Sequence, residues 1–153
     1  MSMLVNNAAG AYGQVGIENN GRTVYPRKLS GTVAQHDVVV LDALTDTGTD
    51  ADLIVTVSVA DVSADDPALV LGVAQSAGVA GDVVDVVEYG PTLVNVDDAT
   101  IAAGNRATFH ATVDGAADGA TSDATTVEGD TFGVYLSAND VPTTNKAVLF
   151  VGR

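Results

Sequence analysis

The chain has 153 residues, 46% of them hydrophobic, and a formal net charge of −14 from twenty acidic and six basic residues. This length fits one domain with its own core, and the charge disfavours nucleic acid as a partner because phosphates repel carboxylates. No cysteine is present, no apolar run approaches the roughly 20 residues of a membrane helix, and no secretory signal is evident, so we expect a soluble protein without a membrane partner.

Aspartate supplies most of the negative charge, with 17 Asp against three Glu, while Lys occurs only twice. Short carboxylates crowded on a surface repel one another unless concentrated salt screens them. This composition favours a halophilic or marine origin. An ordinary acidic domain remains the alternative.

Residues 1–30 differ in composition from the rest of the chain. They are rich in Asn and Gly, contain few apolar clusters, and hold three of the six cations. We predict an extended N-terminal arm that becomes ordered on a partner, with a frayed terminus or an extra edge strand as the alternatives. The arm's candidate contact residues are Tyr12, Arg22, Tyr25, Arg27 and Lys28.

Residues 31–153 predict a domain of short β-strands. Residues 53–60 and 106–113 alternate apolar and polar side chains, the pattern of a strand with one face in the core and one in water. Helical periodicity is scarce, so the predicted fold class is all-β, a small β-barrel or β-sandwich. The other predicted strands are residues 38–44, 69–74, 83–89, 92–96, 131–137 and 146–151.

The breaks between these runs contain the turn-forming residues. All four prolines, Pro26, Pro67, Pro91 and Pro142, lie outside the predicted strands, as expected for residues without an N–H to donate to a ladder. Residues 115–129 consist largely of Gly, Ala, Asp, Ser and Thr, which predicts a long surface loop.

Three segments recur in the same order in two halves of the chain. Residues 32–37 match 100–105, residues 72–77 match 133–138, and residues 86–90 match 148–152. Such repetition indicates an internal duplication with halves at about 31–90 and 99–152. Because each half would bury its apolar face against the other, we expect two pseudo-symmetric halves within one domain.

The sequence contains no recognisable set of catalytic residues. Neither a phosphate-binding GxxxxGK[ST] loop nor a GxGxxG turn is present, and the two histidines, His36 and His110, fall in a predicted turn and on the polar face of a predicted strand. Acidic segments such as residues 46–52 lack the ligand spacing of a calcium loop. The three phenylalanines, Phe109, Phe132 and Phe150, lie on predicted core faces. We therefore expect no enzyme activity, no cofactor and no dedicated metal site, with weak cation binding by the acidic loops as an open alternative.

One family resemblance rests on a series of short motifs. They are VLGVA at 70–74, AGDVVDV at 80–86, AAG at 102–104, GV at 133–134 and the closing VLFVG at 148–152. In this order the chain resembles the capsid decoration (cement, or head-stabilising) proteins of tailed phages and tailed archaeal viruses, over about residues 31–153. Long Asp-rich insertions near 46–52 and 115–129 depart from that pattern.

The resemblance implies a structural virion protein on the outer surface of an icosahedral capsid, where it stabilises contacts between major capsid protein subunits. It also implies self-association, with a trimer preferred and a dimer possible. The cations of the arm would then face acidic capsid surface. A β-sandwich binding or adhesion module of a halophilic or marine organism is the alternative function.

Overall fold

A computed structural model describes residues 21–42, 56–61, 69–97, 101–109, 113–120, 131–138 and 145–152. The described part of the chain contains no α-helix, so the all-β prediction is confirmed. Nor does it contain any helix with the length and apolar character needed to cross a membrane. Its nine strands are β1 Thr23–Leu29, β2 Val38–Leu41, β3 Thr56–Val59, β4 Val70–Ala74, β5 Val83–Asn95, β6 Arg106–Phe109, β7 Ala117–Ala120, β8 Gly133–Tyr135 and β9 Lys146–Val151.

The first five strands close into a barrel, which we call the first barrel. Its order is β1-β3-β2-β4-β5, and β5 returns to pair with β1. The β1–β3 pair is parallel, and the other four pairs are antiparallel. Closure of this kind leaves no free sheet edge around the barrel.

The remaining strands extend β5 into a second sheet. Strand β5 is 13 residues long: residues 83–89 belong to the first barrel, whereas residues 90–95 pair with β9. The order of the second sheet is β5-β9-β8-β6-β7. A single parallel bridge between Val96 and Ala117 joins its two ends.

The second sheet repeats the topology of the first barrel. Residues 90–95 of β5 take the place of β1. Strands β6, β7 and β8 then correspond in order to β2, β3 and β4. Strand β9 corresponds to residues 83–89 of β5. In both units the first and third strands are parallel, and every other pair is antiparallel. The predicted pseudo-symmetric halves are therefore confirmed, with β5 shared between them.

Hydrogen bonds at equivalent positions support the same alignment. The amide of Ala34 donates to the Asp37 carboxylate at 2.8 Å, and the amide of Ala102 donates to the Asn105 side chain at 2.6 Å. The turn before β2 also donates to Ala74 of β4 from the amide of His36, just as the turn before β6 donates to β8. These contacts confirm the match of residues 32–37 with 100–105.

The sequence match of residues 86–90 with 148–152 is one residue out of register. Val73 pairs with Val87 in the first unit, and its equivalent Val134 pairs with Phe150 in the second. Residue 87 thus corresponds to 150, not to 149 as the sequence comparison had it. Apolar residues are consecutive in both segments, so a slip of one position leaves the sequence similarity almost unchanged.

Two apolar clusters hold the units together. One fills the first barrel and contains Leu29, Val33, Val39, Val57, Ala74, Val84 and Val86. The other joins the inner face of the second sheet to outward-pointing valines of the first barrel. Strand β2 shows why: Val39 belongs to the first cluster, while Val38 and Val40 on its opposite side belong to the second. With both faces buried, this strand is apolar throughout instead of alternating.

Strand β1 lies within the segment predicted as an arm. Residues 23–28 pair with β5, and Lys28 and Leu29 pair with β3, so this segment is part of the barrel. The prediction of an arm now concerns residues 1–20, which lie outside the described residues. The low apolar content that suggested an arm has a local cause: β1 is mostly half-buried, and only Leu29 is fully buried.

Two further predictions about the strands are wrong. Pro26 lies in β1 and Pro91 in β5, in both cases where one side of the strand has no described ladder partner that would need the missing N–H. Strand β7 falls inside the predicted loop 115–129, because small residues pair there with β6 in spite of their low β-propensity.

Candidate interaction surface

The predicted contact residues on β1 are partly engaged within the chain. The Arg27 guanidinium donates to Glu88 Oε1 from Nε at 2.6 Å and from Nη2 at 2.5 Å. It also lies 5.3 Å from the centroid of the Tyr25 ring, a cation–π distance. Because Glu88 already compensates the charge of Arg27, this residue is a weaker candidate for binding a carboxylate of a partner than the sequence suggested.

The other predicted contact residues are not gathered into one cluster. Lys28 is exposed on β1, whereas Arg22 is half-buried beside the start of that strand. The backbone of Gly21 and Arg22 packs so closely on Gly90 that a Cβ at Gly90 would lie 2.4 Å from the Gly21 carbonyl oxygen. Tyr12 lies outside the described residues.

His36 is in a turn, as predicted, but its ring is not fully solvated. The backbone has a φ of 72°, and Nδ1 is buried without a hydrogen-bond partner. Burial and the nearby charge of Lys146 lower the pKa of His36, against the opposing influence of Asp37. His110 lies outside the described residues.

Asp42 ties the ends of three strands together. Burial raises the pKa of this carboxyl group, but hydrogen bonds from Ser30, Ser58 and Thr56 outweigh that effect and hold the pKa below its ordinary value. The Thr56 hydroxyl donates to Asp42 Oδ2 at 2.8 Å. The role of this carboxylate is structural, and the described residues bring no group of three or more His, Asp or Glu side chains close enough to hold a metal ion.

The two units have an equivalent row of residues on their outer faces. In the first barrel one residue from each of four neighbouring strands forms the covered row, which lies in the cluster between the units. The strand pairings of the second sheet place four residues at the equivalent positions, and we call these four the outer row. The covered row is Val24, Val87, Val73 and Val38; the outer row is Pro91, Phe150, Val134 and Arg106.

The outer row is part of a larger exposed surface, which we call the apolar face. Beside it lies a second row in which Leu93 pairs with Val148, and Leu136 donates its amide to the Val148 carbonyl. Leu93, Val134 and Leu136 are 43%, 41% and 51% exposed. The apolar face comprises Pro91, Leu93, Val134, Leu136, Val148 and Phe150.

The charge of this surface is unlike that of the whole chain. The outward positions of β8, β9 and residues 90–95 of β5 contain no carboxylate. Arg106 and Lys146, two of the six cations in the sequence, lie at its borders, each paired in register with a residue of these strands. An acidic protein therefore presents an apolar surface with two cations at its border, where the Asp37 carboxylate also lies and accepts from Asn95 Nδ2 at 2.8 Å. Contiguous exposed apolar surface of this kind marks an interaction site.

An apolar groove continues from the border of this face. Tyr89, 52% exposed, meets Phe150 edge to face with ring centroids 5.1 Å apart. Behind Tyr89 a groove of about 380 Å³ runs between the two units. Leu41, Leu69, Leu71, Tyr89 and Phe132 are among its lining residues.

Sequence reasoning missed the apolar face because it assigned Phe150 to the core. Phe132 is buried as predicted, but Phe150 points outward between Pro91 and Val134 and is only partly buried. For Phe109 only the backbone is described. The signal that was available is the closing strand itself, whose apolar residues at 147, 148, 149, 150 and 151 leave no polar side for solvent.

The fold is similar to those of two solved phage head structures. A chain from the capsid of Myoviridae phage XM1 aligns with a TM-score of 0.55 and 16% identity, over 99% of this chain and 99% of that one. The N base of head fiber gp8.5 in bacteriophage phi29 aligns with a TM-score of 0.53 and 17% identity, over 86% of this chain and 94% of that one.

No family model and no curated protein matches the chain. The likeness at 16–17% identity is one of fold, and it extends over 86% and 99% of this chain in the two alignments. The chain thus shares its fold with these two solved phage chains.

Proposed function

We propose that this chain is a structural virion protein that binds the outside of an icosahedral capsid and stabilises contacts between major capsid protein subunits. The observation that carries the proposal is the fold match with a phage capsid chain over 99% of both chains. The head fiber base from a second phage supports it independently. Fold alone is compatible with several functions, so the sequence motifs and the surface must support the same function.

The surface supports a binding function. Its apolar face is large enough to span three strands, and the rest of the chain is strongly acidic, which opposes nonspecific contact with nucleic acid. Many copies, each burying a modest area across a subunit boundary, would add up to a large stabilisation of the shell. No catalytic step is needed for this role, and we propose that the protein is not an enzyme.

Shell binding by the purified protein is the direct test. Empty shells assembled from the major capsid protein of the same virus would be sedimented with and without this protein, and their thermal disruption followed by light scattering. We expect saturable co-sedimentation and a higher disruption temperature. Absence of binding across a salt series up to molar concentrations would overturn the proposal.

The predicted arm has its own test. Because β1 begins at Thr23, a deletion must stop at residue 20 to leave the barrel complete. If residues 1–20 become ordered on the shell, their removal weakens binding while the thermal unfolding of the isolated protein stays unchanged. Full binding by the shortened chain would exclude the arm as a contact and leave the remainder of the proposal in place.

A further inference from the structure

The covered row and the outer row occupy the same four positions of the repeated unit, but only the covered row packs into a core cluster. In the first barrel these positions hold four valines, of which Val38, Val73 and Val87 are fully buried against the second sheet. In the second sheet the equivalent positions remain apolar at three of four places, yet Val134 is 41% exposed and Pro91 and Phe150 are only half-buried. Exposed apolar surface costs solubility, so its retention at an interface position needs a partner.

The fourth position of the row indicates that the partner carries negative charge. Val38 is replaced by Arg106 in the second unit, and Arg106 is exposed on β6. Lys146 lies at the opposite end of the face, paired with Asn95. The apolar centre therefore lies between two cations in a chain whose net charge is −14. A matching surface has an apolar centre and carboxylates at its rim.

We propose that the apolar face is the surface by which this protein docks on the capsid shell, against an apolar patch of the major capsid protein bordered by carboxylates. This inference rests on the proposed function and names the surface and the partner chemistry that it requires. A second copy of the chain is the less favoured occupant, because two molecules of charge −14 repel each other.

A charge placed in the face is the sharpest test. Val134→Glu puts a carboxylate within the outer row, where it would be desolvated on docking against the partner's apolar patch. Val83→Glu is the matched control: Val83 is 66% exposed, also lies in a strand, and belongs to the first barrel. Both variants gain one negative charge, so general repulsion from the shell is equal.

We expect Val134→Glu to weaken shell binding at least about tenfold, and Val83→Glu to change it by less than about twofold. Thermal unfolding of each variant shows whether it remains folded. Should Val134→Glu unfold, Leu136→Asn provides the same test, since Leu136 is 51% exposed and follows β8.

The cation at the rim has a separate readout. Arg106→Gln removes the positive charge and leaves the apolar centre intact, so we expect slower association at low salt and a difference from wild type that shrinks as salt screens it. The uncharged face variant Leu136→Asn should lose affinity at every salt concentration. A salt-independent effect of Arg106→Gln would contradict carboxylates on the partner.

The outcomes separate the inference from the function. If wild type and Val134→Glu bind shells equally, the apolar face is not the docking surface, although the proposed function survives. If wild type does not bind shells, the proposed function is wrong. Sedimentation equilibrium of the isolated protein then shows whether the apolar face binds a second copy. Self-association that Val134→Glu abolishes would make the occupant a second copy, and a monomer in both cases would leave the face without a partner. Each of these two results overturns the inference.

Discussion

The covered row of the first barrel and the outer row of the second sheet occupy the same positions of one repeated unit. Val73 is fully buried in the core between the units, whereas its equivalent Val134 is 41% exposed. Residue type alone does not distinguish them, since both are valines at the same place in a strand. The comparison teaches that an apolar row on a strand predicts an interface, but not whether the other side of it belongs to the same chain.

The largest expected effect is the difference between Val73→Glu and Val134→Glu. A carboxylate at Val73 would be buried without a counter-charge, so we expect a loss of at least about 4 kcal/mol in the free energy of unfolding. At Val134 water reaches the new charge, and the change should stay within about 0.5 kcal/mol. Urea denaturation of both variants measures the difference. Equal losses would show that the outer row is already covered in the isolated protein.

Two equivalent glycines give the next effect. A Cβ at Gly72 would lie 2.1 Å from the Val87 carbonyl oxygen, and one at Gly133 would lie 2.5 Å from the Phe150 carbonyl oxygen. We expect Gly72→Ala and Gly133→Ala each to cost about 1–3 kcal/mol, with the larger loss at Gly72, because backbone atoms must move apart. Gly31→Ala is the control, since its Cβ would have no heavy atom within 4 Å. Unfolding midpoints unchanged from wild type would refute the close approach.

The turn residues before β2 and β6 provide a smaller, graded effect. Asp37 accepts from the Ala34 amide and also from Asn95 Nδ2 at 2.8 Å, and so joins the turn before β2 to the part of β5 that lies in the second sheet. Asn105 accepts from the Ala102 amide at 2.6 Å. We expect Asp37→Ala to cost about 2 kcal/mol and Asn105→Ala about 1 kcal/mol. Chemical denaturation at neutral pH is the measurement, and the reverse ranking would contradict a link between the units at Asp37.

The smallest effect concerns His36 and its equivalent Gly104. Both have positive φ, 72° and 90°, but only His36 has a side chain there, with a buried and unpaired Nδ1. His36→Gly should therefore leave stability at pH 8 equal or slightly higher, because glycine adopts this conformation without strain.

The same variant should alter the dependence of stability on pH. The pKa of His36 is lowered in the folded protein, so the unfolded chain takes up a proton first, at about pH 6.5. Its contribution is fully present above that pH and is lost as the pH falls through the folded pKa. Unfolding free energies between pH 8 and pH 5 should fall less steeply for His36→Gly. Parallel curves would show that His36 is not the titrating group.

Much of the fold was predictable because strand periodicity is local. The runs at 38–44, 69–74 and 146–151 contain observed strands within a few residues, and the repeat match of residues 72–77 with 133–138 was in the correct register. Merging of the predicted strands 83–89 and 92–96 into one was not predictable, because Gly90 and Pro91 look like a break. The strand accommodates both residues because β5 stops pairing with β1 and begins to pair with β9 at that point.

The candidate surface was harder to predict than the fold. The sequence drew attention to aromatic and basic residues near the N-terminus, of which Arg27 is held by Glu88 within the barrel. It gave no sign that Leu93, Val148 and Leu136 would lie side by side, because they come from β5, β9 and the residue after β8, which only the ladder pairing brings together. Contacts between distant segments depend on register, and composition does not encode register directly.

The amino-acid sequence by itself determined the all-β class, the duplication and the acidic character, because these follow from local periodicity, repetition and the count of charges. Only the tertiary structure decided that β5 serves both units, that β1 closes the first barrel, and that one copy of an equivalent row is buried while the other faces solvent. The physical reason is that burial of a row depends on how the two units pack: the first unit's row lies in the core cluster between the units, whereas Val134 in the second unit's row is 41% exposed.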